Sequence, residues 1–144
     1  MNDKWDQRFL EMAQLVGSWS KDPSTQVGAV IVRPDRTVVS VGFNGFPRHM
    51  WDYDDLYADR DVKLSRIIHA EMNAILHARE PLEGYTLYTS PVLTCDRCAV
   101  HVIQAGIMRV VAPVAPADLS DRWGEMFKKA REYYDEAGIQ VVEL

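Results

Sequence analysis

Four side chains in this sequence have types and spacings suited to metal-assisted proton chemistry. They are His69 and Glu71, two positions apart, and the only two cysteines, Cys95 and Cys98, at Cys-x-x-Cys spacing. An imidazole and two thiolates make three zinc ligands, which leaves a fourth position open to water, whereas a structural zinc site closes all four. Glu71, two residues past the histidine, is poorly placed as a co-ligand but can lean over that position and carry a proton to a leaving group. These residues therefore suit hydrolysis. Alone, His-x-Glu is a weak pattern, and Cys-x-x-Cys also fits a redox couple. The redox reading leaves His69 and Glu71 without a task. His77 and His101 are further candidate ligands, and surface or packing roles fit both better.

Zinc binds a thiolate, so the fold must favour ionisation of cysteines whose free pKa is about 8.5. A helix starting near Cys95 does this with its unpaired N–H groups and the positive end of its dipole. The apolar pattern Ile67, Ile68, Ala70, Ala74, Ile75, Ala78 predicts a second helix running to Pro81, with the His69-Ala70-Glu71 triplet in its first turn or two.

The other elements follow from periodicity and punctuation. Trp5, Phe9, Met12, Ala13, Val16 and Trp19 recur at helical spacing, which predicts a helix over 4–19. Val27 to Val32 and Thr37 to Phe43, joined by Arg33-Pro34-Asp35-Arg36, read as an antiparallel hairpin. Residues 48–64 show no clear period and read as a long functional loop with room for a short helix. Tyr85 to Ser90 is a third strand, 96–105 a helix ended by Gly106, and Met108 to Ala112 a fourth strand. A helix over 122–137 and a last strand at Ile139 to Val142 complete the order α-β-β-α-β-α-β-α-β. A hairpin followed by alternating helices and strands implies an α/β mixed sheet covered on both faces, with chemistry placed at strand ends.

A length of 144 residues fits one domain spanning 1–144, and 47% hydrophobic with 26% charged residues is a globular composition. No apolar run approaches the roughly 18 residues of a membrane span. Met1 to Asp6 has mixed charge and no secretory pattern, so a cytoplasmic setting is expected. A net charge of −5 argues against a nucleic-acid polymer as main partner, while a small anionic substrate needs only a local cluster of cations.

His-x-Glu with Cys-x-x-Cys is the signature of zinc nucleobase deaminases. The chain resembles the deoxycytidylate (dCMP) deaminases of the cytidine deaminase superfamily in four blocks between about Ser20 and Val111. These are Lys21-Asp22-Pro23-Ser24-Thr25-Gln26-Val27-Gly28-Ala29, Gly42-Phe43-Asn44-Gly45-Phe46-Pro47, His69-Ala70-Glu71-Met72-Asn73-Ala74-Ile75, and Cys95-Asp96-Arg97-Cys98-Ala99 with Ile103-Gln104-Ala105-Gly106-Ile107. The resemblance implies a three-layer α/β/α sandwich around a five-stranded mixed sheet. It further implies zinc on His69, Cys95 and Cys98, Glu71 as the catalytic proton carrier, Asn44 on the sugar, and the Ala70 backbone on the base. The reaction implied is dCMP to dUMP and ammonia. Free cytidine, a guanine base, another cytosine nucleotide or a tRNA adenosine remain as alternative substrates, and a non-catalytic nucleotide-binding module is the rival from another class. For the 5′-phosphate, Lys21, Arg48 and Arg97 are the candidate cations, and Trp51, Tyr53 and Tyr57 are candidates to shape the pocket or an interface. The family also suggests dCTP and dTTP as effectors and a homo-oligomer. One departure stands out: Thr94 occupies the position where the family motif usually has proline, and its hydroxyl is a candidate helix cap.

Overall fold

The structure, a computed structural model, describes residues 3–144, with side chains from Lys4 onward. The first strand, β1 (Gly28–Val32), is buried along its whole length, as its run of small and β-branched residues requires. It pairs antiparallel with β2 (Val38–Phe43), Val30 opposite Val41, through a turn in which the Asp35 carboxylate accepts from the Thr37 N–H at 3.1 Å. On its other side β1 pairs antiparallel with β3 (Thr86–Ser90). Parallel pairings then add β4 (Arg109–Ala112) and β5 (Gln140–Glu143), giving a five-stranded mixed sheet of order β2-β1-β3-β4-β5.

Alternation along the strands divides the core in two. Val30, Val32, Tyr88 and Val111 face α1 (Asp3–Gly17), which inserts Phe9, Leu10 and Ala13. Ala29, Ile31, Leu87, Val110 and Ala112 face the opposite layer, made of α4 (Ala70–His77), α5 (Asp96–Gln104) and α6 (Ala117–Glu136). Each Val, Leu or Ile buried this way stabilises the fold by about 1.5–3 kcal/mol before entropy is counted. A bidentate ion pair from Arg109 to Asp6, at 2.8 and 2.6 Å, with Tyr88 donating to the same carboxylate at 2.8 Å, ties α1 to β3 and β4.

Several boundaries differ from the sequence reading: α1 ends at Gly17 and α4 at His77, short of the expected 19 and Pro81. Residues 48–64 hold two short helices, α2 (Asp54–Ala58) and α3 (Arg60–Arg66), the latter capped by the Asp59 carboxylate on the Val62 N–H at 3.2 Å. The helix expected from Ile67 starts at Ala70, because Ile67 closes α3 and Ile68 forms a β-bridge with Gly45. The last helix begins at Ala117, five residues early, and is broken by non-helical dihedrals at Trp123. Among the described residues no helix is long and apolar enough to cross a membrane.

Candidate active site

Antiparallel pairing puts the start of β1 beside the ends of β2 and β3, since Gly28 lies opposite both Phe43 and Ser90. The chain segments leaving that edge, through Val27, Asn44, Val92, Leu93 and Cys95, line one side of a cavity of about 600 Å³. The start of α4 forms its floor. This helix rests directly on β2: a Cβ on Gly42 would stand 2.4 Å from the Ala70 carbonyl oxygen, a closeness only glycine permits. The Ser40 hydroxyl also donates to the Ala74 carbonyl at 2.6 Å, and the Asn73 amide to the Phe43 carbonyl at 2.8 Å.

His69 is the N-cap residue of α4 and Cys95 that of α5, so two positive helix ends converge. The His69 Nδ1 lies 3.1 Å from Cys98 Sγ and 3.6 Å from Cys95 Sγ. For tetrahedral zinc with bonds of about 2.3 Å to sulfur and 2.0–2.1 Å to nitrogen, neighbouring donors should lie about 3.5 Å apart. All three donor atoms lie within 4.8 Å of one another, and one imidazole with two thiols is a donor set that zinc prefers. The residues fit the metal. His101 is not in this group, because its Nδ1 is 2.9 Å from the Arg97 carbonyl oxygen on the outside of α5, and His77 lies exposed in the last turn of α4.

The electrostatics suit that donor set. A hydrogen bond with Cys98, and after it one with His69, pulls the Cys95 thiol down to about 4. The shared Cys95 hydrogen bond and burial push the Cys98 thiol up, and the hydrogen bond to Cys95 raises His69 to about 8. A metal binding here must displace the Cys98 thiol proton and, below about pH 8, the second proton of the His69 imidazole. Glu71 is buried two positions after His69, and burial raises its carboxyl above the ordinary range against the lowering effect of the His69 charge.

Thr94 does not cap α5. The cap is Cys95, whose Sγ accepts from the Cys98 N–H at 3.4 Å, while the fully buried Thr94 hydroxyl pairs with the Tyr134 hydroxyl at 2.6 Å.

A sequence model described as "Cytidine and deoxycytidylate deaminase zinc-binding region" matches residues 3–114. The chain belongs to this deaminase family. Similar members include the "Uncharacterized deaminase in luxG 3'region" of Aliivibrio fischeri, 46% identical over 144 residues, covering 100% of this chain and 96% of that protein. The deoxycytidylate deaminase of Pongo abelii is 34% identical over 145 residues, covering 94% of this chain and 77% of its own. Among solved structures, a dCMP deaminase from the cyanophage S-TIM5, in complex with dCMP and dUMP, superposes with a TM-score of 0.74 at 20% identity, covering 100% of this chain and 99% of that one. This deaminase thus shares the expected three-layer α/β/α sandwich, and zinc is the metal of its family.

Of the residues singled out in the sequence, His69, Ala70, Glu71, Cys95, Asn44 and Arg97 line the cavity of this deaminase. Lys21 and Arg48 do not. Lys21 pairs with Asp52 at 3.4 Å on the surface, and Arg48 is exposed away from the lining. Tyr57 is buried and stacks on Phe46 at 4.0 Å, whereas Trp51 and Tyr53 are exposed, so none of the three shapes the pocket. In their place the fold supplies Arg60 and Lys63 from α3 and Arg122 from α6. No local pattern marked these cations, which come from a stretch without clear periodicity and from the kink at Trp123.

Proposed function

We propose that this deaminase-family chain is a hydrolase that converts dCMP to dUMP and ammonia, working as a single zinc-dependent domain in the cytoplasm. The observation that carries the substrate choice is charge. The chain as a whole is acidic, at −5, yet the cavity gathers Arg60, Lys63, Arg97 and Arg122 against the carboxylates of Asp22 and Glu71. Zinc with two thiolates adds no net charge, so an excess of two positive charges remains to meet a phosphate carrying about −1.5 to −2. Lys63 is already engaged by Asp22, which leaves the three arginines for the phosphate.

In this reading His69, Cys95 and Cys98 hold the zinc. When bound, the metal supplies a Lewis acid that makes water nucleophilic at neutral pH. Glu71 takes a proton from the attacking water and delivers it to N3 of cytosine as C4 receives the oxygen. It then carries the second proton to the C4 amine, which leaves as ammonia. The Ala70 backbone, on the cavity floor beside Glu71, meets the base, and Asn44 meets the sugar. The exposed Trp51 and Tyr53, with centroids 6.4 Å apart, together with the exposed Met50, support self-association through that surface.

A panel of cytosine and purine substrates assayed by ammonia release tests this. The expected result is turnover of dCMP well above deoxycytidine, with Arg122→Ala and Arg60→Ala each raising the KM for dCMP by about 10–100-fold, as expected for one charged hydrogen bond, and sparing deoxycytidine. Equal turnover of dCMP and deoxycytidine would remove the phosphate from recognition.

A further inference from the structure

Asn44 is buried at the cavity wall, and both hydrogens of its amide nitrogen are engaged. Nδ2 donates to the Thr25 carbonyl at 2.9 Å and to the Asp22 carboxylate at 3.3 Å, while Oδ1 accepts from the Val27 N–H at 2.9 Å. An amide has two hydrogens and a carbonyl oxygen two lone pairs, so one acceptor site on Oδ1 is all that Asn44 has left to offer. Turning the amide over would set Nδ2 against the Val27 N–H and Oδ1 against a carboxylate. Its orientation is therefore fixed by its partners.

Asp22 is held in turn. Its Oδ1 accepts from Lys63 Nζ at 3.1 Å and from the Ser24 N–H at 2.8 Å, and Lys63 Nζ also lies 3.3 Å from the Ser24 hydroxyl. Ser20 closes the ring of contacts by accepting from the Asp22 N–H at 3.2 Å and donating to the Asn44 carbonyl at 2.7 Å. The Asp22 and Lys63 side chains are 8% and 10% exposed. A buried ion pair is weak evidence of stability for its own sake, so its place beside a substrate-facing amide calls for another explanation.

We infer that Asp22 and Lys63 are positioning residues that lock Asn44 as an acceptor-only group, so that the site selects a ligand offering it a hydroxyl hydrogen. Given the substrate reading above, on which this rests, that hydrogen belongs to the sugar 3′-hydroxyl. Lys63 acts through Asp22, and Asp22 acts through Asn44. Neither needs to touch the reacting atoms.

The test compares kcat/KM for dCMP, 2′,3′-dideoxycytidine monophosphate and 3′-fluoro-dCMP on the zinc-loaded protein. Wild type should prefer dCMP over both analogues by about 10–100-fold, since a buried acceptor left unpaired costs a factor of that order. The fluoro analogue should do no better than the dideoxy one, because fluorine offers no hydrogen. Asp22→Ala should bring the preference for dCMP to within about 3-fold, because one Nδ2 hydrogen is then unclaimed and Asn44 is no longer acceptor-only, while its bonds to Thr25 and Val27 keep it in place. Lys63→Met should move the ratio the same way, and Lys63→Arg should restore most of it. Equal losses on all three substrates in the variants would show a purely structural role and overturn the inference. So would a wild type that accepts the fluoro analogue as readily as dCMP, a measurement that needs no variant to fold. No dCMP turnover by wild type would overturn the substrate reading itself, and the inference with it.

Discussion

Replacing Gly42 by alanine tests whether the seat of α4 on the sheet places the chemistry. The new Cβ would lie 2.4 Å from the Ala70 carbonyl oxygen, 2.5 Å from the Ala74 nitrogen and 3.0 Å from the Asn73 carbonyl carbon, where ordinary contact begins near 3.4 Å. All three atoms are α4 backbone, so no side chain can swing aside and the helix must lift by about 1 Å from a close-packed surface. That helix carries Glu71 and begins at His69. A displacement of about 1 Å at a reacting group lowers the rate by roughly 10²-fold, and overpacking of this kind destabilises by about 1–3 kcal/mol. At about 2–4 °C per kcal/mol for a chain near this size, Tm should fall by roughly 2–12 °C. Steady-state kinetics on dCMP, zinc content and thermal melts read the three consequences separately. A Gly42→Ala protein with wild-type kcat and Tm would refute the claim that this contact sets the position of the helix that carries Glu71.

Other perturbations separate the parts. Glu71→Gln should lower kcat by about 10²–10⁴-fold while keeping about one zinc per chain, measured by elemental analysis; a zinc-loaded variant that stays active would remove Glu71 from proton transfer. Stripping zinc with a chelator should abolish turnover and lower Tm, and zinc should rebind more weakly as pH falls because the cysteines must shed protons; chelation that leaves activity intact would exclude the metal. Asp6→Asn should destabilise by about 1.5–3 kcal/mol at pH 7, the worth of a charged hydrogen bond. Hydrogen bonding from Arg109 holds the Asp6 carboxyl below its ordinary range, so its contribution is complete above the unfolded pKa of about 3.9 and disappears as pH falls through the lower folded value. The gap in Tm between wild type and variant should therefore stay constant from pH 7 to about 5 and close below about 4. A gap that persists at the acid end would assign the loss to packing.

The strands and the long helices were legible because each buries one face and repeats its pattern often enough to be seen. The run Gly28–Val32 could be little else than a covered strand, and Phe9, Ala13 and Val16 mark the buried stripe of α1. The His, Glu and Cys residues were legible because their chemistry is local in sequence. The cavity-lining cations Arg60, Lys63 and Arg122 were not. Arg60 and Lys63 sit on a helix of seven residues, too short to show a period, and Arg122 stands at a break in α6. Ile67 and Ile68 misled for a related reason: they have helical spacing with Ala70 and Ala74, but one ends α3 and the other pairs with Gly45, a partner distant in sequence. Thr94 was read as a cap from its residue type, and only the arrival of Tyr134 from α6 gives its hydroxyl another partner. For Ile68 and Thr94 the deciding contact is long-range, which periodicity cannot report.

Incubating the zinc-loaded protein with dCMP in ¹⁸O-labelled water, with the products analysed by mass spectrometry, decides whether dCMP is hydrolysed at the site of His69, Glu71, Cys95 and Cys98. The expected product is dUMP carrying one ¹⁸O at C4, formed in equal amount with ammonia, and about 10²–10⁴-fold more slowly by the Glu71→Gln protein. Unchanged dCMP, or dUMP without the label, would rule this reaction out.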